Sequence, residues 1–199
     1  MKGDIHLPWG RFGLTWRTDL DLVRPDGGAS ERPPRLALEA LDCPVASAPL
    51  EDLAAGAKHI AIVLPDATRA WQEIPLMVEA VAERLDRARC RNVRWVIGLG
   101  QHRPSTEAEK ALIMGRFARS GDRVFCHDAA GARDLGKSTS RGTPLIVQPD
   151  VADADLVILV GGICYHDLAG FSGGRKAVLP GISSRESIQA NHLLGMTSS

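Results

Sequence analysis

The chain reads as an α/β protein, a Rossmann-like and mainly parallel sheet flanked by helices. Three observations carry this. Apolar runs of strand length occur at residues 59–64, 93–97 and 156–160, each closed by Pro-Asp or by glycines. A segment with helical spacing lies between the first two. The runs are near-continuous in apolar residues, which fits strands buried on both faces. Alternating strands and helices imply right-handed βαβ units, and in such sheets ligands sit at the carboxyl ends of the strands.

Residues 1–57 read as an N-terminal arm with short strands and a Pro/Gly-rich loop. A strand pair is expected within 11–23, and 25–34 reads as an exposed, turn-rich loop. Trp9 and Trp16 would anchor this arm on the main body. Residues 58–199 read as an α/β cofactor-binding and catalytic domain. Its first strand, 59–64, stops at Pro65-Asp66. Ile74, Met77, Val78, Val81 and Leu85 then recur at helical spacing, with Pro75 tolerated in the first turn. The strand at 93–97 is broken by Gly98 and Gly100. Thr106-Glu107-Ala108-Glu109 fits a capping box that opens a helix running to about Ala118. Residues 122–126 and 145–148 are short strand candidates. Strand 156–160 ends at Gly161-Gly162, and a helix is expected over 185–194.

Composition sets bounds on function. Hydrophobic residues make up 44% of the 199, enough for a real core. The 24 Lys and Arg residues balance 24 Asp and Glu, which argues against a general nucleic-acid or membrane-surface binder. Cys43, Cys90, Cys126 and Cys164 are scattered singly, so neither a zinc ribbon nor a disulfide framework is expected. They read as reduced thiols in a cytoplasmic protein. The start of the chain lacks the apolar run of a signal peptide, and 156–160 is far too short to span a bilayer.

Three loops following three strands hold the chemistry. They are Asp66-Ala67-Thr68-Arg69, Gly100-Gln101-His102-Arg103, and the glycine-rich stretch from Tyr165-His166 to Arg175-Lys176, which leads on to Asn191-His192. Gly98-Leu99-Gly100 begins like a dinucleotide fingerprint, but Arg103 stands at the third glycine position. Gly170-Phe171-Ser172-Gly173-Gly174 matches a hydrolase elbow literally, yet its strand ends well before the serine. Gly170 to Lys176 is not a P-loop, because Arg175 occupies a glycine position and Ala177 replaces Ser or Thr. Of the six histidines, His6, His59 and His127 read as structural. His102, His166 and His192 fall on the expected ligand edge. Unperturbed imidazoles titrate at about 6.5, so a pair there could exchange protons at neutral pH. Arg69 either closes a local ion pair with Asp66 or offers a guanidinium fork to a carboxylate, with Asp66 orienting it.

Taken together, the blocks resemble the nickel-pincer lactate racemase family. The resemblance runs from about His59 to the C-terminus. It rests on Asp66-Ala67-Thr68-Arg69, on Gly100-Gln101-His102-Arg103-Pro104, on the block from Ala169 through Lys176 to Ile182, and on Asn191-His192. It implies a nickel-pincer nucleotide cofactor, a pyridinium mononucleotide carrying nickel and tethered through a thioamide to Lys176. It implies His192 as the protein ligand to nickel, and His102 and His166 as acid/base residues. Arg69 would grip the substrate carboxylate with Asp66 beside it, and Gly173, Gly174 and Arg175 would approach the cofactor. The implied reaction is racemisation or epimerisation of a 2-hydroxy acid by reversible hydride transfer to the cofactor. One histidine takes the hydroxyl proton on each side.

The sequence departs from the family pattern at Trp71 and the residues after Arg69, and at Gln101, which would reshape the pocket. The expected substrate is therefore a 2-hydroxy acid, lactate-like or larger, with a sugar acid among the candidates. Family members continue for about as long again, with a second domain that closes over the substrate. This chain is therefore expected to be inactive alone, and to depend on cofactor-making enzymes as partners. Two other classes stay open on the residues: a non-catalytic nucleotide- or metal-binding module, and an NAD-type oxidoreductase.

Overall fold

The computed structural model describes residues 3–7, 14–18, 36–119, 124–166 and 169–197. Its contacts divide the chain into two units, Met1–Pro33 and Pro34–Ser199. In the first, β1 (Gly3–Leu7) and β2 (Leu14–Thr18) pair antiparallel, with Ile5 opposite Trp16 and Leu7 opposite Leu14. Only β2 lies within the expected 11–23. The partner strand, β1, comes earlier in the chain than that range. Trp9 and the loop at 25–34 lie outside the described residues.

The second unit opens with α1 (Leu36–Asp42) and α2 (Leu50–Ala54), which the sequence reading set in the N-terminal arm. There follow β3 (Ile60–Pro65), α3 (Ile74–Arg87), β4 (Val93–Gly98), α4 (Glu107–Met114) and β5 (Val124–Cys126). β6 (Arg133–Ser138) and β7 (Pro144–Val147) form an antiparallel pair, leading into α5 (Pro149–Ala152) and β8 (Leu156–Leu159). The short pair β9 (Tyr165–His166) and β10 (Gly170–Phe171) precedes the last helix, α6 (Arg185–Thr197).

The main sheet has the order β5-β4-β3-β8, and all its pairings are parallel. β3 lies inside it, and its alternate residues feed two cores. Ile60, Ile62 and Leu64 pack with Val78, Val81 and Leu85 of α3 and with Trp95 and Ile97 of β4. Ala61 and Val63 pack on the other face with Val96, Val147, Val151 and Ile182. This explains why β3 is apolar at every position rather than at every second one. The chain winds outward from β3 through β4 to β5, then returns to place β8 on the opposite side of β3. The strand order therefore reverses between β3 and β8, the place where such sheets bind ligands.

Arg84 of α3 ties down the first two helices. Its guanidinium contacts Asp42 of α1 and donates to Glu51 of α2 at 2.8 Å. Leu50 and Ala54 of α2 join the larger core. The capping box at Thr106 forms as expected, but α4 ends at Met114 rather than near Ala118. Gly115, at φ +55°, breaks the helix, and a 3₁₀ turn over Gly115–Arg119 follows. Strand β6 is not legible from its sequence, because all six of its residues are exposed. Among the described residues, no helix is long and apolar enough to cross a membrane.

Candidate functional site

The end of β3 turns directly into a 3₁₀ turn, Ala67–Gln72, capped by Asp66. Asp66 is buried, and its Oδ1 accepts from Thr68 N at 3.1 Å and from Thr68 Oγ1 at 2.5 Å. Its other oxygen, Oδ2, meets Nδ1 of His102, which follows β4. The local Asp66–Arg69 ion pair, one of the two readings open for Arg69, gives way to the His102 contact. Arg69 reaches Asp66 only through Thr68, donating from Nη1 to Thr68 Oγ1 at 3.2 Å. Capping the turn aims the carboxylate across to β4, where an imidazole meets it.

The glycines of the apparent fingerprint serve the protein's own chain. A Cβ on Gly98 would sit 3.2 Å from the backbone of Gly181, and Gly100 N donates to Gly181 O at 2.9 Å. The segment bearing Lys176 therefore docks on the end of β4. The start of α4, where a pyrophosphate would bind, is already filled. Glu109 accepts from Thr106 N at 2.8 Å and from Arg103 at 2.6 and 2.8 Å. Arg103, foremost, holds the Glu109 carboxyl at about 2. This arrangement disfavours a dinucleotide at that helix.

After β8 the chain runs through Gly161 and Gly162 to the β9–β10 pair. Gly162 N donates to Gln72 Oε1 at 2.9 Å, joining this loop to the β3 turn. Ser172 braces the pair: its N donates to Cys164 O at 2.8 Å, and its Oγ accepts from Cys164 N at 3.0 Å. That is a structural use of the serine that the hydrolase pattern singled out. Gly173 takes φ +77°, and a Cβ there would lie 2.8 Å from Gly162 O, so only glycine fits this crossing. A 3₁₀ turn, Gly174–Ala177, then carries Lys176. His192 lies one turn beyond Ile188 on α6, and both line the same cavity. The N-terminus of α6 is fixed by Ser184, whose Oγ accepts from Ser187 N at 3.2 Å.

These segments enclose a cavity of about 330 Å³. Of the residues expected at the site, Asp66, Arg69, His102, His166, Gly173, Lys176 and His192 all line it. Gly174 and Arg175 do not; both are exposed on the outer side of the 3₁₀ turn. Gln101 lines the cavity, whereas Trp71 is 66% exposed and stays outside it. The neighbour of Trp71, Gln72, is buried and lines the wall. Gln72 was missed because the sequence reading singled out Trp71 from the residues after Arg69. The cue was its place in the same strand-end loop.

The hydrogen bonds assign the ring hydrogens. A carboxylate only accepts, so His102 donates from Nδ1 to Asp66, leaving a lone pair on Nε2 in the neutral ring. His166 is the opposite case: its Nδ1 accepts from Ala169 N at 3.3 Å, so a neutral ring carries its hydrogen on Nε2. His127 and His59 have structural roles, as expected. His127 is buried, with Nε2 donating to Ser183 O at 3.0 Å, and His59 contacts Asn92.

The fold and cavity define a doubly wound α/β protein with a cleft of histidines and cations at its sheet edge. Residues 14–199 match the family model described as the lactate racemase N-terminal domain, and the chain belongs to that family. It is 36% identical over 160 residues to a lactate racemase of Lactiplantibacillus plantarum, covering 77% of this chain and 37% of that protein. A lactate racemase of Thermoanaerobacterium thermosaccharolyticum is 34% identical over 203 residues, covering 95% of this chain and 46% of the relative. The chain thus spans less than half the length of either relative. The lactate racemase apoprotein structure from T. thermosaccharolyticum superposes with a TM-score of 0.73 at 32% identity, over 96% of this chain and 46% of that one. A Thermotoga maritima crystal structure, 23% identical with a TM-score of 0.59, shares the fold over 82% of this chain and 42% of that one.

Proposed function

We propose that the chain carries the cofactor-binding and acid/base half of a 2-hydroxy-acid racemase or epimerase that works with a nickel-pincer nucleotide. The observation that carries this is the meeting of Arg69, His102, His166, Lys176 and His192 on one cavity, from separate elements of the sheet edge. The names of the relatives support the racemase part.

The residues fit such a cofactor. Lys176 is an amine at the cavity wall, suited to a covalent tether, and His192 offers an imidazole, a good nickel ligand. Among the described residues, no three His, Cys, Asp or Glu side chains cluster as a metal site. A metal beside His192 would take its other donors from the pincer group. When bound, the cofactor supplies reversible hydride acceptance, the step that no side chain here performs.

The chain's own part is orientation and proton movement. Arg69 meets the substrate carboxylate with its guanidinium, steadied through Thr68. His102 takes the hydroxyl proton at Nε2, since Asp66 holds the hydrogen on Nδ1. His166 returns a proton to the carbonyl oxygen of the 2-keto acid as the imidazolium, with hydrogens on both ring nitrogens. In that state Nδ1 gives up its bond from Ala169 N–H, and loss of the Nε2 hydrogen leaves a neutral ring. In the reverse direction the two exchange roles, which suits a reaction that must serve both enantiomers.

The test is mass spectrometry of the full-length protein made together with the cofactor-synthesis enzymes, with nickel analysis and a panel of chiral 2-hydroxy acids. A cofactor-sized adduct on Lys176 with bound nickel and loss of optical purity are expected. An unmodified Lys176 under those conditions would sink the assignment.

A further inference from the structure

We infer that Gln72 is a substrate-binding residue of this cavity, its carboxamide Nε2 donating to an oxygen carried by the substrate beyond the carboxylate and 2-hydroxyl. This rests on the hydroxy-acid reading proposed above and narrows its substrate class to acids with a further hydroxyl.

Four observations lead there. Gln72 is 8% exposed and lines the cavity together with Arg69, His102 and His166. The backbone N–H of Gly162 points at one end of its amide at 2.9 Å. An N–H requires an acceptor, so that end is Oε1 and the other is Nε2. Gly162 thus fixes the direction of the amide. Among the described residues nothing accepts from Nε2. The two hydrogens on Nε2 are thereby left to whatever enters the cavity, where a ligand oxygen can take the place of water.

The location favours the substrate over the cofactor. Arg69 and Gln72 lie three residues apart in the segment Ala67–Gln72, which kinks at Arg69, and both line the cavity. Lys176 and His192 come from the later segment, beyond β10. A substrate held by its carboxylate at Arg69 would extend its carbon chain along the turn that ends in Gln72. In lactate the third carbon is a methyl, which cannot accept a hydrogen bond. In glycerate or a longer polyhydroxy acid it bears an oxygen that can.

The experiment compares the cofactor-loaded full-length protein, with the second domain in place, with its Gln72→Glu and Gln72→Leu variants, using lactate and glycerate as probes. Gln72→Glu keeps an oxygen for Gly162 N–H and removes both donors. Gln72→Leu removes the donors and the Gly162 bond together. The wild type is expected to favour glycerate in kcat/KM. Both variants should lose that preference by about 10-fold, mainly through KM. An unchanged glycerate-to-lactate ratio in both variants would assign Gln72 to holding Gly162 alone and overturn the inference. If the wild type acts on hydroxy acids but prefers lactate, the inference also falls and the racemase reading stands. If it acts on no hydroxy acid, both fall.

Discussion

At the scale of the residue, the site turns on Asp66. It is buried, caps the turn that carries Arg69, and holds His102 by Nδ1. Asp66→Asn should separate these tasks. The amide oxygen can still accept from Thr68, so the turn persists. Its NH₂, however, would donate to Nδ1 of His102 and send the ring hydrogen to Nε2, removing the base. We expect kcat of the loaded full-length enzyme to fall by roughly 10²-fold, with the thermal midpoint nearly unmoved. A variant with unchanged kcat would show that Asp66 does not set the state of His102. The positions of Arg69, His102, His166, Lys176 and His192 were legible because each follows a recognisable strand or sits on a recognisable helix. The partner of Asp66 was not legible. A local Asp-Arg spacing suggested Arg69, whereas the parallel register of β3 and β4 brings His102 beside it. Sequence spacing reports neighbours along the chain, and this pairing is made across the sheet.

At the scale of the element, two devices are open to test. The first is the N-terminus of α4. The Arg103 and Thr106 bonds depress the Glu109 carboxyl from its usual 4.5 to about 2. A depressed carboxyl stabilises the fold above its unfolded pKa, and the contribution fades as pH falls through the folded value. The stability gap between the wild type and Glu109→Gln should therefore be full above about pH 4.5 and close as pH falls towards 2. Thermal unfolding at a series of pH values would read it, and a gap independent of pH would refute it. The second device is Arg84, which draws α1 and α2 onto α3. Arg84→Met removes donors to two carboxylates and should cost about 2 kcal/mol in denaturant unfolding. α4 was legible because its capping box is a local pattern, and α3 because its apolar stripe has helical spacing. β6 carries neither signal: its exposed Arg-Asp-Leu-Gly-Lys-Ser is a strand only because β7 offers it a backbone partner.

At the scale of the whole molecule, the question is whether these residues suffice for turnover. His102 and His192 are both exposed, and His166 and Lys176 are only half-buried. Water reaching such groups competes for the protons that His102 and His166 must pass, and it weakens the pull of Arg69 on a carboxylate. Around the same edge, Ile163 is 79% exposed and Tyr165 83%, with Tyr165 and Phe171 in ring contact at 5.3 Å between centroids. Apolar side chains gathered in the open beside a ligand cleft mark a surface that gains from being covered. Both curated relatives are more than twice as long as the stretch they share with this chain. We therefore expect the 199 residues alone, loaded with cofactor, to bind nickel through His192 but to show no measurable racemisation of any hydroxy acid. Nickel analysis of wild type and His192→Ala checks the first part independently of activity, and chiral analysis of the product checks the second. Turnover by the isolated chain would mean that the open cleft already shields the proton transfers well enough, and that the exposed apolar edge serves some other contact.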